Sequence, residues 1–435
     1  MELLLPLKKR AADNNPIRIG LIGCGQMGSG LAHTVNNIVG MSIRAIADID
    51  PQRGIHTYMA MGMEKKDIIE TDQVSTAHDA LKQGKYIVTQ DALLLPQIEL
   101  LEVNVEVTGV TDIGARVAWE SIQIQKPIIM LNVETDVTIG YLLDYHARKN
   151  DSLYTVASGD EPGVLKMLYE QAVLMGFEVI CLGKGKNNPI DFTMTPQRCA
   201  AEARSKDMNP KILASFIDGT KTMVEMAAVS NATGLLPDVP GMHGPKAELD
   251  ELLSTFRPKS DGGIFQHRGT VDYTTGAIAP GVFVIVHSDD RRIQKDMHFI
   301  TKANGPYYLL FRPYHLCDIE TPQSIAEAVL LSERTVTAEN MHAEVVCLAK
   351  RDILKGEQID GIGSADIFGR IYTYKQARKE KAIPLGIAPN GVALADIKQN
   401  EIMTIDNFAP DTTTFIYKLR RQQDELLDSR RNNHK

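Results

Sequence analysis

A glycine-rich turn set between a strand and a helix restricts this chain more than any other feature. Ile17-Arg18-Ile19-Gly20-Leu21-Ile22 is short, apolar and β-branched, the pattern of a buried strand. It runs straight into Gly23-Cys24-Gly25-Gln26-Met27-Gly28, a G-x-G-x-x-G turn, and helical spacing follows through Leu31 and Val35. A second strand pattern, Ile43 to Ala47, ends in Asp48, 20 residues after Gly28. Glycines at these positions allow a tight turn and a close backbone approach, and a helix N-terminus offers free N–H groups to a pyrophosphate. Gly23, Gly25, Gln26, Met27 and Gly28 are therefore the candidate pyrophosphate contacts. Asp48 can accept both ribose hydroxyl protons and repels a 2′-phosphate, which favours NAD over NADP. Arg44 and Arg53 lie near it in sequence, and Arg53 could take a phosphate if Asp48 turned away.

The strand–helix alternation continues. Tyr86 to Thr89, Val103 to Gly109, Pro127 to Asn132 and Leu153 to Val156 read as strands, with helical stretches between them. Such alternation predicts a doubly wound parallel sheet of the Rossmann type over residues 1–158. Ligands of these sheets sit outside the carboxyl ends of the strands. Thr108 and Gly109 at one strand end, and Asn132 and Glu134 at another, are therefore further cofactor contacts. The structural alternative is that they only terminate strands, and for Glu134 and Asp136 it weighs equally.

Residues 159–340 read as an α+β substrate domain. Its most informative segment follows the strand Val179 to Leu182: Gly183-Lys184-Gly185-Lys186-Asn187-Asn188-Pro189. On an extended backbone, residues two apart project the same way, so Lys184 and Lys186 point together. Two ammonium groups on one face repel unless an anion lies between them or one lysine has a lowered pKa. The alternative is a solvated basic loop. Asp218 precedes a helix as an N-cap would, and Lys221 and Glu225 are four apart on that helix, either as a surface pair or as a proton-handling site. His243 lies in a glycine-bounded loop, where a lone histidine is more often structural. Arg312, at the end of the strand Tyr307 to Phe311, is a candidate anion clamp.

Near Ala343 the helical pattern fades. Asp352-Ile353-Leu354-Lys355-Gly356-Glu357-Gln358-Ile359 is echoed by Asp396-Ile397-Lys398-Gln399-Asn400-Glu401-Ile402-Met403, a short duplication in a small β module over 341–410. The module lacks a nucleophile, metal cluster or phosphate loop, and interaction, lid and structural roles are open for it. Residues 411–435 read as one amphipathic helix, packed on a partner or on the chain itself.

Forty-seven basic against 55 acidic side chains give a net charge of −8, which argues against a dedicated nucleic-acid binder. No apolar run approaches the ~20 residues of a membrane span. The five scattered cysteines predict reduced thiols in a cytosolic protein. The histidines and carboxylates lack ligand spacing, so no metal is expected. A homo-oligomer is expected.

Taken together, I-R-I-G-L-I-G-C-G-Q-M-G, V-E-V-T-G, M-L-N-V-E-T-D-V-T-I-G, G-K-G-K-N-N-P, F-I-D-G-T-K-T-M-V-E-M-A and A-K-R-D-I-L-K-G-E-Q-I-D resemble the homoserine-dehydrogenase-like oxidoreductases that carry a C-terminal SAF (antifreeze-like) domain. The resemblance spans about residues 15–410 and implies a β-clip form for the repeat-bearing module. One branch of that family is 1-deoxy-D-xylulose 5-phosphate reductoisomerase-like, uses NADPH, and lacks the acidic residue that stands here as Asp48.

The expected reaction is hydride transfer between a nicotinamide and the secondary alcohol or carbonyl of a small phosphorylated or carboxylated polyol or keto-sugar. Lys186 or Lys221 would act as the base, with Asp218 and Glu225 orienting them. Lys184 and Arg312 would grip the anionic group, and Glu161, Asn187, Asn188 and His243 would complete the substrate site. The isomerising reductase is one alternative. A nucleotide-sensing regulatory protein without turnover is another.

Overall fold

The computed structural model describes residues 2–206 and 208–433, which divide into two compact units. Of the described residues, the first comprises 2–160, 316–337 and 413–433; the second, 161–206, 208–315 and 338–412.

In the first unit seven strands form one parallel sheet: β1 (Ile17–Ile22), β2 (Met41–Ala47), β3 (Ile68–Glu70), β4 (Tyr86–Thr89), β5 (Val103–Glu106), β6 (Ile128–Met130) and β7 (Tyr154–Val156). Their order is β3-β4-β2-β1-β5-β6-β7. On one side of β1 the chain lays β2, then the edge strand β3, then β4 between them, and it returns to build the other side from β5. The strand order therefore reverses between β1 and β5, where doubly wound sheets bind ligands. Ile19, Leu21, Ile43, Ile46, Val103, Val105 and Ile129 are buried beneath flanking helices, as expected for strands covered on both faces.

Two later segments complete this unit. Val336 pairs with Val156 at the β7 edge, and Ser324 exchanges hydrogen bonds with Ser158. The C-terminal helix Phe415–Asn433 packs on the helix Val133–Lys149. There the buried Gln423 accepts from the Leu142 N–H at 3.0 Å and donates to the Thr138 carbonyl at 3.0 Å. One side-chain amide thus satisfies a donor and an acceptor four residues apart on the neighbouring helix. This helix lays one face, with Ile416, Leu419, Gln423 and Leu427, on its own chain's first unit and leaves the opposite face exposed.

The second unit is built on a five-stranded mixed sheet, ordered β12-β11-β8-β10-β9, with β8 (Glu178–Gly185), β9 (Leu236–Pro237), β10 (Thr270–Thr274), β11 (Val282–His287) and β12 (Tyr307–Arg312). Phe256, Phe265, Phe283 and Ile285 form a core that includes one face of the sheet. The helix Thr220–Thr233 is buried around nearly its whole circumference, as its run of Met223, Val224, Met226, Ala227, Ala228 and Val229 requires.

The sequence-based linear division at 158, 340 and 410 gives way to a different one. Residues 316–337 return to the first unit, and the small β module joins the second. The reason is local: the module's Gly369 N–H donates to Thr220 Oγ1 at 2.9 Å, and its Lys350 is buried against Asp218.

Within the module the sequence duplication is a structural one. Ile353 and Ile397 exchange backbone hydrogen bonds of 2.9 and 2.8 Å. Lys355 N–H donates to Asp396 and Gln399 N–H to Asp352, each at 2.9 Å. Gly356 N–H reaches Ala393 O and Asn400 N–H reaches Ala349 O, both at 2.8 Å. Each of these contacts recurs with partners exchanged, so the two copies face each other about a pseudo-twofold axis. Gly356 and Asn400 both have positive φ, +88° and +66°, as the turn demands. Among the described residues, no helix is long and apolar enough to cross a membrane.

Candidate functional site

The glycine turn follows β1 at the point where the strand order reverses. Gly23 adopts φ +95°, and a Cβ there would lie 3.0 Å from the Thr108 nitrogen. A Cβ on Gly28 would lie 2.1 Å from the Gly23 carbonyl oxygen, whereas one on Gly25 would meet nothing within 4 Å. Gly28 thus lets the helix close onto the turn, and Gly25 leaves open the space in front of it. The helix Gln26–Asn36 starts at Gly25 with no side chain capping its first N–H groups. Gln26 and Met27 are exposed in that first turn. A free helix N-terminus over an open glycine is suited to a pyrophosphate.

Asp48 stands just beyond β2. One carboxylate oxygen accepts from the Cys24 N–H at 2.7 Å and the other from the Asp50 N–H at 2.9 Å. The side chain is thereby fixed beside the glycine turn, and each oxygen keeps a lone pair for a ribose hydroxyl. Arg53 lies 3.8 Å from Asp50 in an exposed pair.

On the other side of the reversal, Glu106 ends β5 fully buried. It accepts from both the amide (2.8 Å) and the hydroxyl of Thr108, and so shapes the Thr108–Gly109 bend, in which Gly109 has φ +67°. Burial pushes Glu106 up to about 7, against the pull of those bonds. Sequence reading passed over Glu106 as a strand residue, although a carboxylate in a buried parallel strand was the available signal. Asn132 is almost fully buried and caps the helix Val133–Lys149, accepting from the Thr135 N–H at 3.1 Å and donating to the Val110 carbonyl at 3.2 Å. Glu134 is buried in the first turn of that helix. The structure thus gives Asn132 a capping duty.

In the second unit the lysine pair sits on and just after β8. Gly183 and Gly185, each preceding a lysine, are packing residues: a Cβ on the first would lie 2.1 Å from the Phe283 ring, and on the second 2.3 Å from the Ala279 nitrogen. Both lysines are buried, Lys184 at 6% and Lys186 at 5% exposure, so the solvated-loop alternative does not hold.

Lys184 is not free to grip an anion from solution. Its ammonium lies between the buried carboxylates of Glu161, which begins the helix Glu161–Leu174, and Glu225, on the helix Thr220–Thr233, and it bonds to both. Burial acts against its charge, but the two carboxylates prevail and hold it well above the usual lysine range. The role expected for Lys184 is corrected accordingly: it neutralises two acids, which without it would be buried and uncompensated.

Lys186 is differently placed. Its Nζ donates to Asn188 Oδ1 at 2.9 Å and to the Phe216 carbonyl at 2.9 Å. Burial and the neighbouring Lys184 ammonium lower it to about 8, against the attraction of Glu225 and Asp218. Asn188 therefore holds the lysine, while Asn187 is exposed beside it. Lys221 adds its charge beside Glu225 from the preceding turn of the same helix.

Other candidates fall outside this arrangement. Asp218 pairs with Lys350 at 2.7 Å and takes the Thr220 N–H at 2.8 Å, so it bonds to neither catalytic candidate lysine. His243 is tied down as a structural residue, its Nε2 2.7 Å from the buried Asp238 and its N–H 3.1 Å from Asp272. Arg312 lies across β11 from Lys184, both paired with Val282, and its guanidinium stacks over Tyr314 at 4.3 Å. Paired residues project to one face, so Arg312 and Lys184 share it about two strand spacings apart, roughly 10 Å.

His315 enters the site unannounced. Its Nδ1 lies 2.8 Å from the Pro280 carbonyl, which can only accept, so that nitrogen carries a hydrogen. Its Nε2 lies 3.2 Å from Glu161. The sequence signal was present in Arg312-Pro313-Tyr314-His315, but nothing in it linked His315 to a glutamate more than 150 residues earlier.

Residues 159–321, which include Glu161, Lys184, Lys186, Lys221, Glu225, Arg312 and His315, match a family model described as the catalytic domain of the oxidoreductase DRL. No curated protein matches the chain. Among solved structures, a probable dehydrogenase from Thermotoga maritima is similar at 13% identity, over 74% of this chain and 91% of that one, with a TM-score of 0.44. Scyllo-inositol dehydrogenase from Lactobacillus casei, solved with NAD(H) and scyllo-inositol, is similar at 12% identity over 74% and 92%, with a TM-score of 0.42. The 1-deoxy-D-xylulose 5-phosphate reductoisomerase of Zymomonas mobilis, in complex with NADPH, is similar at 13% identity over 48% and 57%, with a TM-score of 0.34.

Proposed function

We propose that the protein is an NAD(P)-dependent oxidoreductase that moves a hydride between a nicotinamide and the secondary alcohol or carbonyl of a small anionic polyol or keto-sugar. The observation that carries this reading is the uncapped helix N-terminus over an open glycine turn, with Asp48 fixed beside it at the reversal of a parallel sheet. The match of residues 159–321 to an oxidoreductase catalytic domain supports it. The residues present fit a dinucleotide: N–H groups of the Gly23–Gly28 turn for the pyrophosphate, Asp48 for the adenosine ribose, and the Thr108–Gly109 bend for the nicotinamide half. Asp48 favours NAD, because a carboxylate there repels a 2′-phosphate.

A nicotinamide supplies the hydride acceptor or donor. The protein's part is the proton. As a secondary alcohol loses its hydride, its O–H bond must break and the carbonyl form, so a base must reach that oxygen at roughly 3 Å. Lys186 is that base. With a pKa near 8 it is neutral often enough to accept a proton at physiological pH, and it returns the proton in the reductive direction. Lys221 and Arg312 supply the positive charge that selects an anionic substrate, while Lys184, locked to Glu161 and Glu225, keeps the buried acids neutralised.

The test is turnover. The protein is mixed with NAD or NADP and a panel of phosphorylated and carboxylated polyols, and the nicotinamide absorbance is followed. The reading expects reduction of NAD in preference to NADP with at least one anionic polyol. Strong preference for NADPH, with inhibition by a phosphonate hydroxamate, would instead select the isomerising reductase. Tight dinucleotide binding without turnover across the panel would select a sensor.

A further inference from the structure

The turn that holds Lys186 is itself held from the C-terminal module. Lys186 Nζ donates to the carbonyl of Phe216, in the last turn of the helix Pro210–Ile217. Asp218 and Gly219 join that helix to Thr220–Thr233, which carries Lys221 and Glu225, and Gly219 has φ +85°. Two residues of the module fasten this junction. Lys350, following β13 (Ala343–Ala349), pairs with Asp218 at 2.7 Å, and its remaining donors reach Met194 O at 2.8 Å and Ser364 O at 2.6 Å. Gly369, in β14 (Ile367–Thr373), donates its N–H to Thr220 Oγ1 at 2.9 Å.

Three buried oxygens thus surround the Lys350 ammonium, and its side chain is 1% exposed against 0% for Asp218. A buried pair of this kind contributes little net stability over an apolar pair of the same shape. It does fix geometry and place a charge. The charge matters here because Asp218 acts on Lys186.

We infer that the Asp218–Lys350 pair is a positioning device for Lys186, through which the C-terminal module sets the geometry and protonation of the proposed base. The inference rests on the Lys186 reading for its catalytic meaning. The physical coupling it asserts does not. Charged groups acting on Lys186 are Lys184 on β8, Glu225 on the helix Thr220–Thr233, and Asp218 at the junction. Lys221 and Glu161 act on Glu225, and Lys350 comes from the module. Lys184 disfavours the ammonium form; Glu225 and Asp218 favour it.

The sign of the effect follows. Asp218→Asn keeps an oxygen to cap the Thr220 N–H, removes the carboxylate that favours the Lys186 ammonium, and leaves Lys350 unpaired. All the electrostatic changes push Lys186 toward its neutral form. The paired change Asp218→Asn with Lys350→Met leaves no uncompensated buried charge, so it is the variant that keeps its fold if the single one does not. It loses the same carboxylate and loosens the hold on Phe216, so it shifts Lys186 the same way by a smaller amount.

The experiment is an NMR titration of full-length protein labelled at the lysine side chains, with the Lys186 signal assigned from Lys186→Arg. The expected result is a fall in the Lys186 midpoint of about half a pH unit or more in Asp218→Asn, and a smaller fall in the double variant. An unchanged midpoint in a folded variant would reduce the pair to a structural brace and overturn the inference. The readout needs no substrate. Should Lys186→Arg keep normal turnover, the reading of Lys186 as base fails, while the titration still decides the coupling.

Discussion

The two units assemble their candidate sites in opposite ways. In the first, the groups that would meet a dinucleotide are backbone N–H donors on one continuous turn and a carboxylate two elements later, all inside residues 23–48. In the second, the charged cluster draws on residues 161, 184, 186, 221, 225 and 315, from two helices, a strand and loops. A site made of backbone geometry is written locally, because glycine spacing dictates the turn. A site made of side-chain charge is written in tertiary packing, and each lysine's role depends on which carboxylates the fold brings to it. Lys184 and Lys186 are two residues apart, yet one is a cation paired with two carboxylates and the other donates to neutral oxygens of Asn188 and Phe216.

The contrast can be tested at both ends. The largest effect is expected at Lys186: replacement by Ala should lower turnover by about 10²- to 10⁴-fold while nicotinamide binding persists, as steady-state rates and a binding titration would show. Comparable activity in Lys186→Ala would remove it as the base.

Lys184 should answer in stability. Lys184→Met leaves Glu161 and Glu225 buried without their common partner, a loss of about 3–5 kcal/mol at neutral pH by urea unfolding. Because acid protonates the abandoned carboxylates, the deficit should shrink toward pH 4. A deficit independent of pH would mean that packing, not charge, is what Lys184 supplies.

In the first unit, Gly28→Val forces a side chain against the Gly23 carbonyl and should weaken NADH binding by about 10- to 100-fold, with little effect on the Lys186 titration. A valine tolerated at wild-type affinity would show that the helix need not approach the turn so closely.

Glu106 should answer in the pH dependence of stability. Its folded pKa is raised from 4.5 to about 7, so the folded state binds the proton more tightly, and stability is lost as pH rises between those values. Glu106→Gln removes this dependence. Relative to wild type it should gain about 3 kcal/mol between pH 4.5 and pH 8, measured by chemical denaturation at several pH values. A constant difference over that range would place the ionisation elsewhere.

The legibility of the molecule follows the same division. The parallel sheet, the glycine turn and Asp48 could be read from periodicity and spacing, since strand, turn and helix each leave a local pattern. The duplication at 352–359 and 396–403 was also visible, but its meaning as a pseudo-twofold pair needed the exchanged hydrogen bonds. The pairing of Asp218 with Lys350 was not readable, because 132 positions separate them and the module looked independent. The same holds for His315 on Glu161. The glycine-bounded loop singles out His243, but the buried Asp238 and Asp272 that claim it lie on either side in sequence with no shared pattern.

The most direct test of the central claim is calorimetric titration of the intact protein with NADH and NADPH. The account predicts saturable heat with NADH, weaker binding of NADPH, and a narrowed gap between the two when Asp48 is replaced by Ser. Absence of binding heat with either nucleotide, at protein concentrations that would register micromolar affinity, would contradict it.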